Sequence, residues 1–145
     1  MERGADVNAE DPRRFRTVRA ILRQQDRFLL VVHHGFSWGR DRWGLPGGRI
    51  ERGEDLHETA RRELREELSI HVPDLTPVGD YRYKGSMHRV FGSDFDGRIL
   101  EFDRSELARI GWHTLEEVSK LAERGTLHAG YEEAAIRAFL ALREP

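Results

Sequence analysis

Cysteine is absent from all 145 residues, which excludes a disulfide framework, a thiolate zinc site and a cysteine nucleophile and is compatible with a reducing cytoplasm. Long apolar runs are lacking too. The longest strongly apolar run, Phe28 to Val32, falls far short of the roughly 20 residues a membrane-spanning helix needs. The N-terminus is polar and acidic rather than basic and then apolar, so neither a signal peptide nor a membrane anchor is expected, and the sequence reads as cytoplasmic. Charge of one sign is not in excess either. The 24 Lys and Arg side chains nearly balance 26 Asp and Glu, for a formal net charge of −2. No global basic field is available to drive general nucleic-acid binding, so any recognition of an anion has to be local.

What is present is charge of both signs, 34% of the chain against 38% apolar residues. That ratio predicts a compact core beneath a heavily ionic surface. The length fits one hydrophobic core. Residues 1–13 are polar with almost nothing to bury and are expected to form a flexible lead-in, leaving residues 14–145 as a single domain.

Two aliphatic and β-branched runs, Phe15 to Leu22 and Arg27 to His33, flank Gln24-Gln25-Asp26 and predict a hairpin. The segment from His34 to Gly48 contains five glycines and Pro46 and reads as a long irregular loop. A helix is expected from Asp55, whose carboxylate can cap it with Glu58 as the partner of a capping box, to Ser69 or Pro73. Beyond Pro77, two short strands are expected around Lys84-Gly85-Ser86. Asp96-Gly97 reads as a further hairpin turn with more sheet after it. Ile110 to Trp112 predicts a last short strand. Thr114 and Glu117 predict a second capping box on a helix through Leu121, and Tyr131 to Leu142 predicts an amphipathic helix with Ala134, Ala135, Ala138, Phe139 and Leu142 near one face. This order of strands and helices predicts a mixed α/β domain with helices packed on a sheet.

At about 100° per residue the helix from Asp55 places Leu56, Ala60, Leu64 and Leu68 on one apolar stripe and Glu63, Glu66 and Glu67 along its border. Mutual repulsion at such spacings costs about 0.2–0.5 kcal/mol per pair, a penalty that a bound cation reverses. Arg61, Arg62 and Arg65 stand among these acids, so the helix alone reads first as a solvated ionic face, by about four to one. The preceding loop, Trp43-Gly-Leu-Pro-Gly-Gly48, and the spacing that joins it to the helix separate the two readings.

Gly48-Arg-Ile-Glu-Arg-Gly-Glu54 followed by Arg62-Glu-Leu-Arg-Glu-Glu-Leu-Ser-Ile70 resembles the Nudix box. That pattern is glycine, five residues, glutamate, seven residues, then arginine, glutamate, an aliphatic, any residue, two glutamates, any residue, glycine and an aliphatic. Every spacing is kept over residues 48–70. The one departure is Ser69 in the place of glycine, where a left-handed helix cap would strain a serine.

The resemblance implies an α/β/α sandwich around a central mixed β-sheet. It implies metal-binding roles for Glu63, Glu66 and Glu67, with the Gly48 carbonyl as a further ligand, and a bracing ion pair between Glu54 and Arg62. The cofactor implied is Mg2+, with Mn2+ as a substitute; magnesium takes oxygen ligands, a few carboxylates together with substrate phosphates. The reaction implied is hydrolysis of the pyrophosphate bond of a nucleoside diphosphate linked to another moiety: a nucleoside triphosphate, a nucleotide sugar such as ADP-ribose, a dinucleoside polyphosphate or an RNA 5′ end. Besides Glu63 and Glu66 within the box, Glu106 is the candidate general base, by likeness to relatives that recruit a glutamate from a loop before a late strand. Glu101 and Asp103 stand behind it.

Arg82, Lys84, His88 and Arg89 form a local basic group suited to a polyphosphate, and Trp38, Tyr81, Tyr83 and Phe91 are candidates to stack a base or to fill the core. His33, His34, His57 and His71 carry no metal-ligand spacing; the last two read as surface residues. The partner expected is a small nucleotide diphosphate, and a homodimer is compatible with the resemblance. Two other readings compete with hydrolysis. A non-catalytic nucleotide-binding module on the same scaffold has no need of several mutually repelling acids, and prenyl diphosphate isomerisation needs an acid/base pair, often cysteine-based, that this chain lacks.

Overall fold

The computed structural model describes residues 10–35 and 41–144. A short 3-10 helix, Pro12–Arg14, leads into six strands: β1 (Thr17–Gln24), β2 (Arg27–His33), β3 (Gly47–Arg49), β4 (Thr76–Tyr83), β5 (Ser86–Asp94) and β6 (Leu107–Thr114). Helix α1 (Leu56–Leu68) follows β3, and α2 (Leu115–Glu123) and α3 (Glu132–Arg143) follow β6.

The sheet runs β4-β5-β1-β2-β6, with β3 attached to β1 beside this path. Among these six strands only β1 and β5 pair in parallel, so the sheet is mixed. Alternation along the strands feeds two cores. Val18, Ala20 and Leu22 of β1, Leu29 and Val31 of β2 and Phe91 of β5 pack beneath α1 through Leu56, Ala60, Leu64 and Leu68. On the opposite face Ile21, Phe28, Leu30 and Val90 pack against Val118, Ala135, Ile136 and Phe139 of α2 and α3. The result is the α/β/α sandwich.

Local signals set the element ends. Both capping boxes form, with the Asp55 carboxylate accepting from Glu58 N and the Thr114 hydroxyl from Glu117 N. The β4-β5 hairpin turns on Lys84 and Gly85 at φ 51° and 78°, the left-handed pair expected of a tight turn. α1 stops at Ser69, which adopts the left-handed conformation (φ 55°) and donates from its backbone N–H to Arg65 O.

Three expectations are corrected. The loop before the carboxylate helix is not irregular throughout. Gly47–Arg49 forms β3, paired antiparallel with Thr17–Arg19; Gly47 is at φ 147°, and a Cβ there would lie 2.1 Å from Val18 O. Asp96-Gly97 makes no hairpin, because β5 already has β4 on one side and β1 on the other, and a third neighbour has no free edge to join. In α3 the buried apolar face is Ala135, Ile136 and Phe139, while Leu142 is exposed. Among the described residues, no helix is long and apolar enough to cross a membrane.

The left-handed serine yields a prediction. Ser69→Gly removes a Cβ from a conformation that disfavours it and is expected to stabilise the fold by about 0.5–1 kcal/mol. An unchanged or lower midpoint in chemical denaturation contradicts this account of the helix end.

Candidate active site

β1 and β2 pair only near their hairpin, at Arg23 with Phe28 and Gln24 with Arg27. Beyond that point they part, β1 taking β3 and β2 an isolated bridge from Val31 to Gly44. α1 lays its acidic border across the gap. Glu67 is the acid driven deepest, its side chain 2% exposed, with Oε1 accepting from Gly47 N at 3.2 Å and Oε2 3.0 Å from His33 Nε2. Glu63 lies against Gly48, where a Cβ would come within 2.4 Å of its carboxylate, so only glycine leaves that space to the acid. Glu66 points outward, 57% exposed.

Arg62 organises this group. Its Nε meets Glu54 Oε2 at 2.5 Å, Nη2 reaches Glu54 Oε1 at 3.1 Å and Arg49 O at 2.9 Å, and Nη1 reaches Glu63 Oε2 at 3.1 Å and Glu66 Oε1 at 3.0 Å. A planar fork suits such divided contacts better than an ammonium. The guanidinium holds the Glu54 carboxyl well below its ordinary range, at about 2, helped by the Glu51 N–H and the Thr59 hydroxyl. Glu63 moves the other way, raised to about 7, first by burial and then by the neighbouring Glu67 charge, with Arg62 opposing both.

Glu63 and Glu67 form one side of a cavity of about 700 Å3; Arg16, Arg19, Lys84, His88, His128 and Tyr131 face into the same space. Of the four basic residues singled out in sequence, Lys84 and His88 therefore line this cavity. Arg82 instead lines a neighbouring groove, and Arg89 is buried in ion pairs with Asp80 and Glu10. Glu106 also lines the cavity, on a loop held by its backbone to His34 N and Asp103 O. Glu101 and Asp103 do not line it. Tyr83 borders the cavity, Phe91 is wholly in the core, Tyr81 stacks on Tyr131 at 5.1 Å, and Trp38 lies outside the described residues. Among the four unassigned histidines, His33 contacts Glu67, His34 Nε2 lies 2.9 Å from Arg104 O, His71 is exposed, and His57 is half-buried against Phe91 rather than a simple surface residue.

Arg19, His33, His128 and Tyr131 carried no motif that marked them. Arg19 Nη1 donates to Gly47 O at 3.2 Å, so it holds the glycine loop from β1. His128 is kept neutral, its pKa lowered to about 4 by burial and then by Arg19. Its loop is fixed by Glu132, a buried carboxylate that accepts from Ala129 N at 2.9 Å and Gly130 N at 2.7 Å. Burial raises the pKa of that acid while the backbone N–H donors counter the shift. The only advance signal was a histidine and a tyrosine in a glycine-containing turn ahead of a helix.

The donor set suits a hard cation: two inward carboxylates whose charges oppose each other, beside a glycine that keeps the approach open. Among the described residues, no three acidic or histidine side chains already converge at metal-holding distance, because Glu66 is turned toward Arg62.

Comparison with known proteins agrees with this architecture. The NUDIX domain family profile matches residues 13–138, and this chain belongs to the Nudix family. The chain is 29% identical over 127 residues to the NAD-capped RNA hydrolase NudC of Vibrio parahaemolyticus, covering 86% of this chain and 48% of that protein. It is 31% identical over 118 residues to the NudC of Vibrio cholerae, covering 80% and 43%. The chain thus spans less than half the length of these curated relatives. Among solved structures, the NUDIX domain of Shewanella oneidensis NrtR complexed with ADP ribose superposes with a TM-score of 0.72 at 19% identity, covering 99% of this chain and 100% of that one. DR0079 from Deinococcus radiodurans gives 0.69 at 24% identity, covering 86% and 83%. At these identities the structures speak for the fold.

Two pH effects of opposite sign follow. Glu54 has a depressed folded pKa, so its contribution is present above the unfolded value of 4.5 and is lost as pH falls toward 2. Glu54→Gln is therefore expected to lower stability at pH 7 by roughly 1–2 kcal/mol, with a smaller deficit at pH 3; a deficit independent of pH rules out the ion pair as its source. Glu63 has a raised folded pKa, so metal-free stability falls as pH rises from 4.5 through 7. Glu63→Gln is expected to stabilise the metal-free protein at pH 8 by roughly 1–3 kcal/mol and to make little difference near pH 4. Thermal denaturation in chelator across this pH range reads both.

Proposed function

We propose that this protein hydrolyses the pyrophosphate bond of a nucleoside diphosphate linked to a second moiety, with magnesium as the working cation. The observation that carries the reading is the cavity itself, with the half-buried Glu63 and the buried Glu67 on one side and Arg16, Arg19, Lys84 and His88 on the other. A diphosphate is the group that uses both walls: carboxylates that would hold a hard cation beside its charged oxygens, and fixed positive charge for the remainder.

Glu63, Glu67 and the Gly48 carbonyl are the residues that would hold the cation, and Glu66 would be available to it when freed from Arg62. When bound there, a divalent cation would supply neutralisation of the charge that develops on the leaving oxygen of the diphosphate. The chain supplies the rest. Arg62 and Glu54 keep α1 and the glycine loop in register, while His33 and Gly47 N fix the Glu67 carboxylate. Lys84 and Arg19 orient the phosphates, and Glu106 takes the proton of the attacking water.

The NAD-capped RNA hydrolysed by the NudC relatives and the ADP ribose complexed with the NrtR domain share an adenosine joined through a diphosphate, and we place that class first here. The competing reading is a module that binds such a compound without turnover, and the rotation of Glu66 onto Arg62 is the observation in its favour.

The two readings part in one assay. With magnesium and a panel containing ADP-ribose, NAD, diadenosine polyphosphates and nucleoside triphosphates, hydrolysis should release a nucleoside monophosphate from at least one member and stop on chelation. Glu67→Gln should lower kcat roughly 100-fold or more, the scale of a lost charge contact at the reacting group. Tight binding of ADP-ribose without turnover of any compound establishes the binding module instead.

A further inference from the structure

Two acids that line the cavity come from distant parts of the chain: Glu67 from α1 and Glu106 from the turn before β6. Packing fixes the first but not the second. Glu67 is buried, whereas Arg104, Ser105 and Glu106 are exposed at the tip of their turn. Leu107, wholly buried, anchors the end of the turn, and the tip is left to hydrogen bonds.

Those bonds reach it from two sides. From α1, the Glu67 carbonyl accepts from Asp103 N at 2.8 Å, so the residue whose carboxylate faces the cavity also sets where the turn begins. Within the turn, Asp103 O accepts from Glu106 N at 3.1 Å and Leu107 N at 2.9 Å, and Asp103 Oδ1 accepts from Ser105 N at 3.0 Å and Ser105 Oγ at 2.6 Å. From the end of β2, His34 N donates to Glu106 O at 3.0 Å, and His34 Nε2 lies 2.9 Å from Arg104 O. A carbonyl only accepts, so Nε2 carries the hydrogen, and the ring makes this bond whether it is neutral or charged.

The sheet explains why His34 is there. Pairing of β2 with β6 slips in register between Val32 and His33 and ends at the pair of His33 with Leu107. The next residue therefore meets the turn instead of a strand. His33 itself contacts Glu67 Oε2 at 3.0 Å, so consecutive histidines hold Glu67 and the turn of Glu106. His34 is exposed, and its ring gains little from burial.

We propose that His34 is a positioning residue, whose ring holds the turn through Arg104 O so that the Glu106 carboxylate keeps a fixed distance from the acids of α1. The proposal rests on the hydrolytic reading above, in which Glu106 takes the proton of the attacking water, and it assigns no proton transfer to the imidazole. A placed general base contributes about 100- to 10,000-fold, and a misplacement of about 1 Å costs on the order of 100-fold. A turn that loses one of its two outer supports forfeits part of that factor.

The test measures kcat and KM for the full chain with magnesium and ADP-ribose, or the panel compound turned over fastest. His34→Ala is expected to lower kcat about tenfold with KM changed less than about twofold. His34→Gln, whose side-chain amide donates from a similar position, should recover most of the loss. In a Glu106→Gln background, itself slower by about 100-fold, His34→Ala should cost less than about twofold more, because two residues acting through one carboxylate are not additive. The ratio of wild type to His34→Ala should be the same at pH 6 and pH 8, since the ring donates in both protonation states.

Unchanged kcat in His34→Ala overturns the proposal, as does a full tenfold loss in the Glu106→Gln background or a failure of glutamine to restore turnover. A ratio that varies several-fold between the two pH values shows the imidazole exchanging protons itself and overturns the positioning role. Glu106→Gln as fast as wild type overturns the base assignment and this proposal with it, and leaves the hydrolysis standing. Turnover of no compound by the wild type overturns the hydrolysis, and hydrogen exchange of the metal-free protein then decides the grip. The Glu106 and Leu107 amides, both donors to Asp103 O, should exchange at least about tenfold faster in His34→Ala than in wild type or His34→Gln, with β1 unchanged. Faster exchange supports the grip, and equal exchange overturns it.

Discussion

A buried carboxylate at the place where two strands part is the constraint on which the rest of the molecule turns. β1 and β2 separate after two paired residues, and each needs a new partner for its backbone groups. The loop of residues 43–49 supplies both, through the Gly44 bridge to Val31 and through β3 to β1. Glu67 then accepts from Gly47 N beside that split, joining α1 to the glycine loop. Remove the carboxylate and a buried donor on the loop loses its acceptor; fill Gly47 with a side chain and β3 collides with Val18. The same contacts that close the sheet therefore aim an acid into the cavity.

That arrangement holds like charges together, and the fold offsets the conflict in two ways. Arg62 shares one guanidinium among Glu54, Glu63 and Glu66, and Glu63 retains a proton up to about pH 7. Neither device is needed for packing, since Leu56, Ala60, Leu64 and Leu68 already bury the apolar side of α1. Acids kept in opposition at a cost in folding energy mark a site of function rather than of packing, and this supports the metal-binding role proposed for them. The opposite pKa shifts of Glu54 and Glu63, nine residues apart on one brace, mark which acid is permanently satisfied and which is held ready.

Much of the site's acidic side was legible in the sequence because it is local. Residues 48–70 set their own geometry through two glycines, the Asp55–Glu58 capping box and an arginine eight residues from its glutamate partner. The helix end was legible in the same way, down to the serine in a left-handed cap. The basic wall was not, because it is assembled by topology. Arg19 reaches the site since β1 pairs with β3, His33 since β2 ends at Glu67, and His128 since Glu132 folds its loop back over Trp43. Alternation along β4 and β5 also sorted the residues that sequence had grouped together. His88 faces the cavity while its neighbour Arg89 turns to Asp80 on the other side. Asp96-Gly97 misled for a related reason: a turn signal states that the chain can reverse, whereas the free edge needed to use it is a property of the whole sheet.

This division between local and assembled parts explains why the chemistry reads more easily than the substrate. One contiguous segment suffices to position the acids and the glycine carbonyl, and such a segment can keep its geometry while everything around it changes. The opposing wall draws on β1, β2, the β4-β5 turn and the loop before α3, so a substitution in any of them alters the shape offered to the ligand without disturbing Glu63 or Glu67.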